Sequence, residues 1–169
     1  MQLATKFGHH RTCLLLLERG AQADLEGRNQ LTALHLAVHY NRPNIVILLL
    51  ENNSSPHATA KNGYTALHIA AKKNHLDIAQ TLLETGANPN AESKSGFSPL
   101  HVATLEGHAE MVALLLDQKA MAAKYAKNGL TPLHLAAQED RVNCAELLVR
   151  YGSPIDPQTK AGYTPLHVI

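Results

Sequence analysis

The chain has 169 residues, 45% of them apolar but only 4% aromatic, with no Trp. That length supports a sizeable core built from Leu, Ile, Val and Ala, and is too short for a typical multidomain enzyme. Fifteen Lys and Arg against 14 Asp and Glu leave a net charge of +1, which excludes bulk electrostatics as a reason to bind nucleic acid or an anionic membrane. The apolar runs reach only six residues, as in Ile45 to Leu50, far short of a membrane span. Lys6, His9, His10 and Arg11 crowd an N-terminus that lacks a signal-peptide apolar stretch. Two cysteines without metal-type spacing fit a reduced, intracellular compartment.

Thr32-Ala33-Leu34-His35 returns as Thr65-Ala66-Leu67-His68, Ser98-Pro99-Leu100-His101, Thr131-Pro132-Leu133-His134 and Thr164-Pro165-Leu166-His167, each step being 33 residues. A fixed period of this size signals a stacked array. The chain therefore divides into a partial repeat at 1–31, full repeats at 32–64, 65–97, 98–130 and 131–163, and a partial repeat at 164–169. Within a repeat, Thr or Ser is an N-cap whose hydroxyl accepts from a free backbone N–H. Pro99, Pro132 and Pro165 take the first helical position, where a missing N–H costs nothing. In the second full repeat this predicts a helix over Ala66 to Lys73, a break at Asn74-His75 and a helix over Leu76 to Glu84. Ile78, Ala79, Leu82 and Leu83 form an apolar stripe on that second helix. Gly86 suits a left-handed cap, and Gly63, Gly96, Gly129 and Gly162 mark tight turns in extended fingers. Helices below about 12–15 residues are marginal alone in water, so the stripe must pack on neighbouring repeats as an all-α repeat solenoid.

Thr-Pro-Leu-His at this period, with Gly107-His108, Leu114-Leu115-Leu116 and Gly86-Ala87, resembles the ankyrin repeat over the whole chain. The resemblance implies two antiparallel helices and a β-hairpin-like finger per repeat, stacked into a curved array with a concave groove. Lys61-Asn62-Gly63-Tyr64-Thr65, Lys94-Ser95-Gly96-Phe97-Ser98 and Lys127-Asn128-Gly129-Leu130-Thr131 look like repeats of the ankyrin adaptors, which tie membrane proteins to the spectrin skeleton. That likeness implies an interior piece of a membrane-binding array, at work in the cytoplasm and the membrane-associated cytoskeleton. Its partners would be extended cytoplasmic segments of membrane proteins, with no nucleic acid and no membrane insertion. The parent would be monomeric, and the cut ends are expected to fray or to self-associate end to end, at Met1 to Leu17 and after Lys160. The rival use of the same fold is a regulatory arm of a channel or enzyme, or of a bacterial effector. Some positions depart from the pattern. Gln30 replaces the finger glycine, so that turn should differ. Asn53 and Lys119 replace the cap glycine, Lys119 less comfortably, so residues 119–124 are expected to form an irregular loop. Asp140-Arg141 replaces Gly-His.

Eleven histidines invite a catalytic or metal reading. Five sit in the motif, with one imidazole per repeat and no second catalytic group, and are expected to make a structural hydrogen bond at the helix start. His9, His75 and His108 fall at the break between helices and read the same way. His35 and His39 have metal-ligand spacing on a helix, but no Glu lies between them, and no metal site is expected. Cys13 and Cys144 align with core positions. Lying about four repeats apart, roughly 30–40 Å at ordinary helix spacing, they are too far apart for a disulfide, which needs Cα atoms within about 7 Å. No nucleophile–base pair, phosphate loop or cofactor motif is present, and the chain is expected to be non-catalytic and cofactor-free.

Three columns are candidates for binding partners. Arg28, Lys61, Lys94, Lys127 and Lys160 form a basic ladder on the fingers, able to steer an acidic partner. Leu31, Tyr64, Phe97, Leu130 and Tyr163 precede the N-cap and should be partly buried between fingers. Lys6/Phe7, His39/Tyr40, Lys72/Lys73, Leu105/Glu106 and Gln138/Glu139 lie late in the first helix and change character from repeat to repeat while the core does not. By the resemblance, these last face the groove. Lys72 and Lys73, beside Lys61 and Lys94, are expected to make the most basic patch, and Leu105 stands out as an apolar residue among polar counterparts. Asn90 loosely resembles a finger asparagine that is hydroxylated in some ankyrin repeats.

Overall fold

The computed structural model describes residues 1–168. The chain falls into two compact units, Met1–Asn88 and Pro89–Ile169. The first holds α1 (Gln2–Phe7), α2 (His10–Glu18), α3 (Ala33–His39), α4 (Pro43–Glu51), α5 (Ala66–Lys73) and α6 (Leu76–Glu84). The first helices α1, α3 and α5 touch in succession, as do the second helices α2, α4 and α6, and each first helix packs on its own second helix. The second unit repeats this two-row layout with α7 (Pro99–Glu106), α8 (Ala109–Asp117), α9 (Pro132–Gln138) and α10 (Val142–Arg150), followed by a 3-10 turn at Pro165–His167 that packs on α9. Ten helices and no strand occur among the described residues, so the fold is an all-α repeat solenoid. None of these helices is long and apolar enough to cross a membrane.

The predicted boundaries of α5 and α6 match those observed. The helices begin where the sequence supplies a cap. Thr65 sits in the extended region at φ −86° and ψ 170°, its hydroxyl accepting from the His68 backbone N–H, and Ser98 does the same for His101. Leu34, Ile45 and Leu49 in the first unit and Leu100, Met111 and Leu115 in the second are at most 2% exposed, each contributing about 2 kcal/mol by burial. In the α6 stripe, Ile78, Ala79 and Leu82 are buried, while Leu83 is only partly so. Cys13 and Cys144 are buried free thiols in the cores of their own units.

One expectation changes and another gains detail. The β-hairpin-like finger is a tight turn without strands. In the second full repeat's approach, Ala60 N–H donates to Tyr64 O at 2.9 Å and Gly63 N–H to Ala60 O at 2.8 Å, which leaves too few rungs for a ladder. Residues 119–124 are not an irregular loop. Lys119 takes the left-handed conformation, φ 66°, that Gly86 takes at φ 92°. The same bonds close both helix ends: Lys119 N–H to Leu116 O and Ala120 N–H to Leu115 O, as Gly86 N–H to Leu83 O and Ala87 N–H to Leu82 O. Asn90 secures this turn from the preceding repeat, donating to Lys119 O at 3.2 Å and accepting from Met121 N–H at 2.8 Å. The Gln30 turn does differ: Asn29 and Gln30 are both left-handed, at φ 60° and 58°.

Among the described residues, one buried hydroxyl lacks a partner. Thr104 Oγ1 on α7 has no hydrogen bond and no exposure, and the equivalent position on α3 is the fully buried Val38. Thr104→Val keeps the shape and removes the stranded polar atom, so the thermal midpoint should rise, corresponding to about 1 kcal/mol of added stability. An unchanged or lower midpoint would mean that the hydroxyl is satisfied after all.

Candidate functional site

The motif histidines are structural. His35 is 1% exposed and His68, His101 and His134 are fully buried. The Thr32 N–H donates to His35 Nδ1 at 3.2 Å, and the Thr32 hydroxyl lies 2.9 Å from the same nitrogen. With Nδ1 accepting, the proton sits on Nε2, which donates to the carbonyl of Tyr64, the last residue before the next cap, at 3.1 Å. His101 reaches Leu130 O and His134 reaches Tyr163 O in the same way. Each imidazole thus takes the place of the Glu or Gln of a capping box, and those of His35, His101 and His134 also tie the start of their repeat to its last residue. Both nitrogens of His35 are engaged, so it cannot join the exposed His39 as a metal ligand. Thr164 and His167 form the same capping pair, but there it is exposed.

Burial holds His35 below its ordinary pKa of 6.5, against the opposing effect of its bond to the Tyr64 carbonyl. The unfolded chain therefore takes the proton first. The stability due to this residue is complete above about pH 6.5 and is lost as pH falls from there towards the lowered folded value. Urea midpoints should drop across that window, and His35→Gln, which keeps a hydrogen-bonding group at the cap, should flatten the drop. A midpoint insensitive to mild acid would contradict the lowered pKa.

The column before the N-cap is partly buried as expected, except for Tyr163, which is 54% exposed. Its rings lie on the motif imidazoles: Tyr64 stacks on His68 with centroids 4.9 Å apart and Phe97 on His101 at 5.3 Å. The basic residues Arg28, Lys61, Lys94, Lys127 and Lys160 are all exposed. Two of them are held finger to finger through the backbone, one in each unit: Lys61 N–H donates to Asn29 O at 2.9 Å, and Lys127 N–H to Ser95 O at 3.1 Å. Nearby Lys124 is taken by Glu92, with Nζ to Oε1 at 2.8 Å, which draws that exposed carboxyl below its ordinary value.

Of the late first-helix residues, Lys6, Phe7, His39, Tyr40, Lys72, Lys73, Glu106, Gln138 and Glu139 are exposed. Leu105 is half-buried rather than displayed. The Arg141 guanidinium lies against Gly107 and donates to Leu105 O at 3.4 Å, so the Arg that replaces the histidine of the Gly-His break spans the end of the preceding first helix. The first unit brings Lys6, Phe7, His39, Tyr40 and Lys73 together. Lys6 Nζ lies 5.6 Å from the Phe7 ring centre and 5.7 Å from that of Tyr40, and His39 meets Tyr40 edge-on at 4.9 Å. Lys73 is close enough to His39 to lower its pKa, after burial as the larger cause. Lys94, expected beside Lys72 and Lys73, belongs to the second unit and is exposed there.

Two features were not singled out from the sequence. His9 lies 6.1 Å from Phe7, and His75 is set below its ordinary pKa first by burial and then by Lys73 and His39, while bonding the His39 backbone. Their place at the break between helices was legible, but not their contact with the late residues of the first helices. An open cavity of about 940 Å³ also lies on α9 and α10, lined by Ala137, Gln138, Val142, Ala145 and Val149 among others. Of these, only Gln138 was expected as a site residue. No group of His, Cys, Asp and Glu that could hold a metal ion occurs among the described residues.

Paired short helices, repeated capping boxes and exposed variable positions define a helical-repeat interaction module. A family model described as "Ankyrin repeats (3 copies)" matches residues 1–93, 53–127 and 119–169, and the chain belongs to the ankyrin-repeat family. No curated protein matches it. Ankyrin repeats mediate protein–protein interactions and form a generally non-catalytic module.

Proposed function

We propose that this chain is a non-catalytic scaffold of the ankyrin-adaptor kind, which binds extended cytoplasmic segments of membrane proteins and links them to the spectrin cytoskeleton. The supporting observation is the contrast between columns. The capping histidines His35, His68, His101 and His134 and the core leucines keep their type and are buried, while Lys6/Phe7, His39/Tyr40, Lys72/Lys73 and Gln138/Glu139 change type and are exposed. Varied exposed chemistry on an unvaried frame suits a partner read by many small contacts rather than by one pocket. The finger sequences around Lys61, Lys94 and Lys127 favour the adaptor reading over a regulatory arm of a channel, enzyme or bacterial effector. The action would take place in the cytoplasm at the membrane skeleton.

Immobilised cytoplasmic tails of membrane proteins should retain the chain. Tyr40→Ala with Lys73→Glu should weaken retention at least about tenfold, corresponding to the loss of about 1.4 kcal/mol. Retention of no tail, or retention indifferent to every late first-helix substitution, would overturn the reading.

A further inference from the structure

The first unit carries an aromatic and cationic strip of unusual composition. Phe7 and Tyr40 are 61% and 37% exposed, in a chain with only two Phe and five Tyr. Lys6 sits within 6 Å of both ring centres, at 5.6 and 5.7 Å. Lys73 lies beyond His39, and His9 and His75 complete the edge. The charged and titratable groups facing His39 and His75 are Lys73 on α5 and, for His75, also His39 on α3; no carboxylate is among them in the described residues. Asp77, in the first turn of α6, is the nearest acid in sequence and exerts no resolved effect on either imidazole. Exposed rings next to cations form a surface that is apolar at its centre and positive at its margin. Aromatic side chains of this kind are enriched where partners bind.

Building on the protein-binding reading, we infer that the Phe7–Tyr40 strip of the first unit is a docking surface for an acidic peptide segment. An apolar side chain of that segment would cover the two rings, and its carboxylates would meet Lys6 and Lys73. Charge complementarity selects this occupant, because a neutral or basic segment would leave the two ammonium groups unmatched or opposed. The imidazoles add a dependence on acidity. Held neutral at pH 7 by burial and by Lys73, they gain charge in mild acid, and an acidic segment should then bind more tightly.

The test is selection of short random peptides on the full chain, followed by affinity measurement of those enriched. Acidic peptides carrying an aromatic or aliphatic residue are expected. Lys6→Glu/Lys73→Glu should weaken them at least about tenfold, and Phe7→Ala/Tyr40→Ala by a similar factor. Affinity should rise as the pH falls below 6.5, and His39→Gln/His75→Gln should remove that rise. All of these positions are exposed except the partly buried His75, and circular dichroism of each variant should match that of the parent. Enrichment of neutral or basic peptides, or of acidic ones indifferent to Lys6→Glu/Lys73→Glu, would overturn the docking surface and leave the scaffold function standing. Failure to enrich any peptide would overturn both. Binding to phosphatidylserine vesicles in place of peptides, lost in the same variants, would assign the strip to a membrane surface and refute the peptide proposal.

Discussion

His35→Ala should cost the first unit about 3 kcal/mol, a loss readable as a lower urea midpoint with no change in any partner's chemistry. The substitution removes a fully packed ring and, with it, the acceptor for the Thr32 N–H and the donor to the Tyr64 carbonyl. Each stranded buried group costs about 1 kcal/mol or more, and the cavity adds a comparable amount. The loss would be felt at both ends of the repeat, because the carbonyl of Tyr64 immediately precedes the next cap, Thr65. A variant as stable as the parent would return the motif histidines to the list of functional candidates. The same experiment on His167, whose capping pair is exposed, should show much less, since water replaces what the ring supplied.

Gly129→Ala is the other large loss expected, about 3 kcal/mol. The backbone at Gly129 has φ 84°, a region costing roughly 1–2 kcal/mol for a residue with a side chain. A Cβ there would also lie 2.4 Å from the backbone nitrogen of Lys160 and 3.0 Å from the carbonyl carbon of Thr159. Those atoms belong to the next finger and cannot yield without parting the two turns. Gly86 is the control: its φ is 92°, but nothing lies within 4 Å of an added Cβ. Gly86→Ala should lose only the conformational share, about 1 kcal/mol. Equal losses at the two sites, by thermal or urea midpoint, would show that the close approach of the fingers carries no energy.

Local rules were enough for the helices. Thr65 and Ser98 announce their caps, and the 33-residue step sets every later boundary, so α5 and α6 were legible residue by residue. The burial of the motif histidines was also legible, because a side chain used once per repeat in the same place points to the frame rather than to chemistry. What escaped the sequence depends on neighbours one repeat away. Lys119 looked out of place in a left-handed turn, but the amide of Asn90 holds that turn from 29 residues upstream. Leu105 read as a displayed apolar residue, but it is half-buried and its carbonyl is met by Arg141. The aromatic–cationic strip was visible only as separate pairs; its continuity comes from Lys6 reaching the Tyr40 ring across adjacent first helices.

Part of the seam between successive repeats is written in main-chain atoms. Finger meets finger through Lys61 N–H and Asn29 O, or Lys127 N–H and Ser95 O. The capping imidazoles end on the carbonyls of Tyr64, Leu130 and Tyr163, each the last residue before the next cap, so a leucine serves as well as a tyrosine. These joints are indifferent to which side chains the incoming repeat carries at those positions. Repeats of the same length whose apolar faces match are therefore exchangeable cassettes: recombination could reorder, duplicate or import them without retuning the finger joints, and new surface chemistry would arrive already folded.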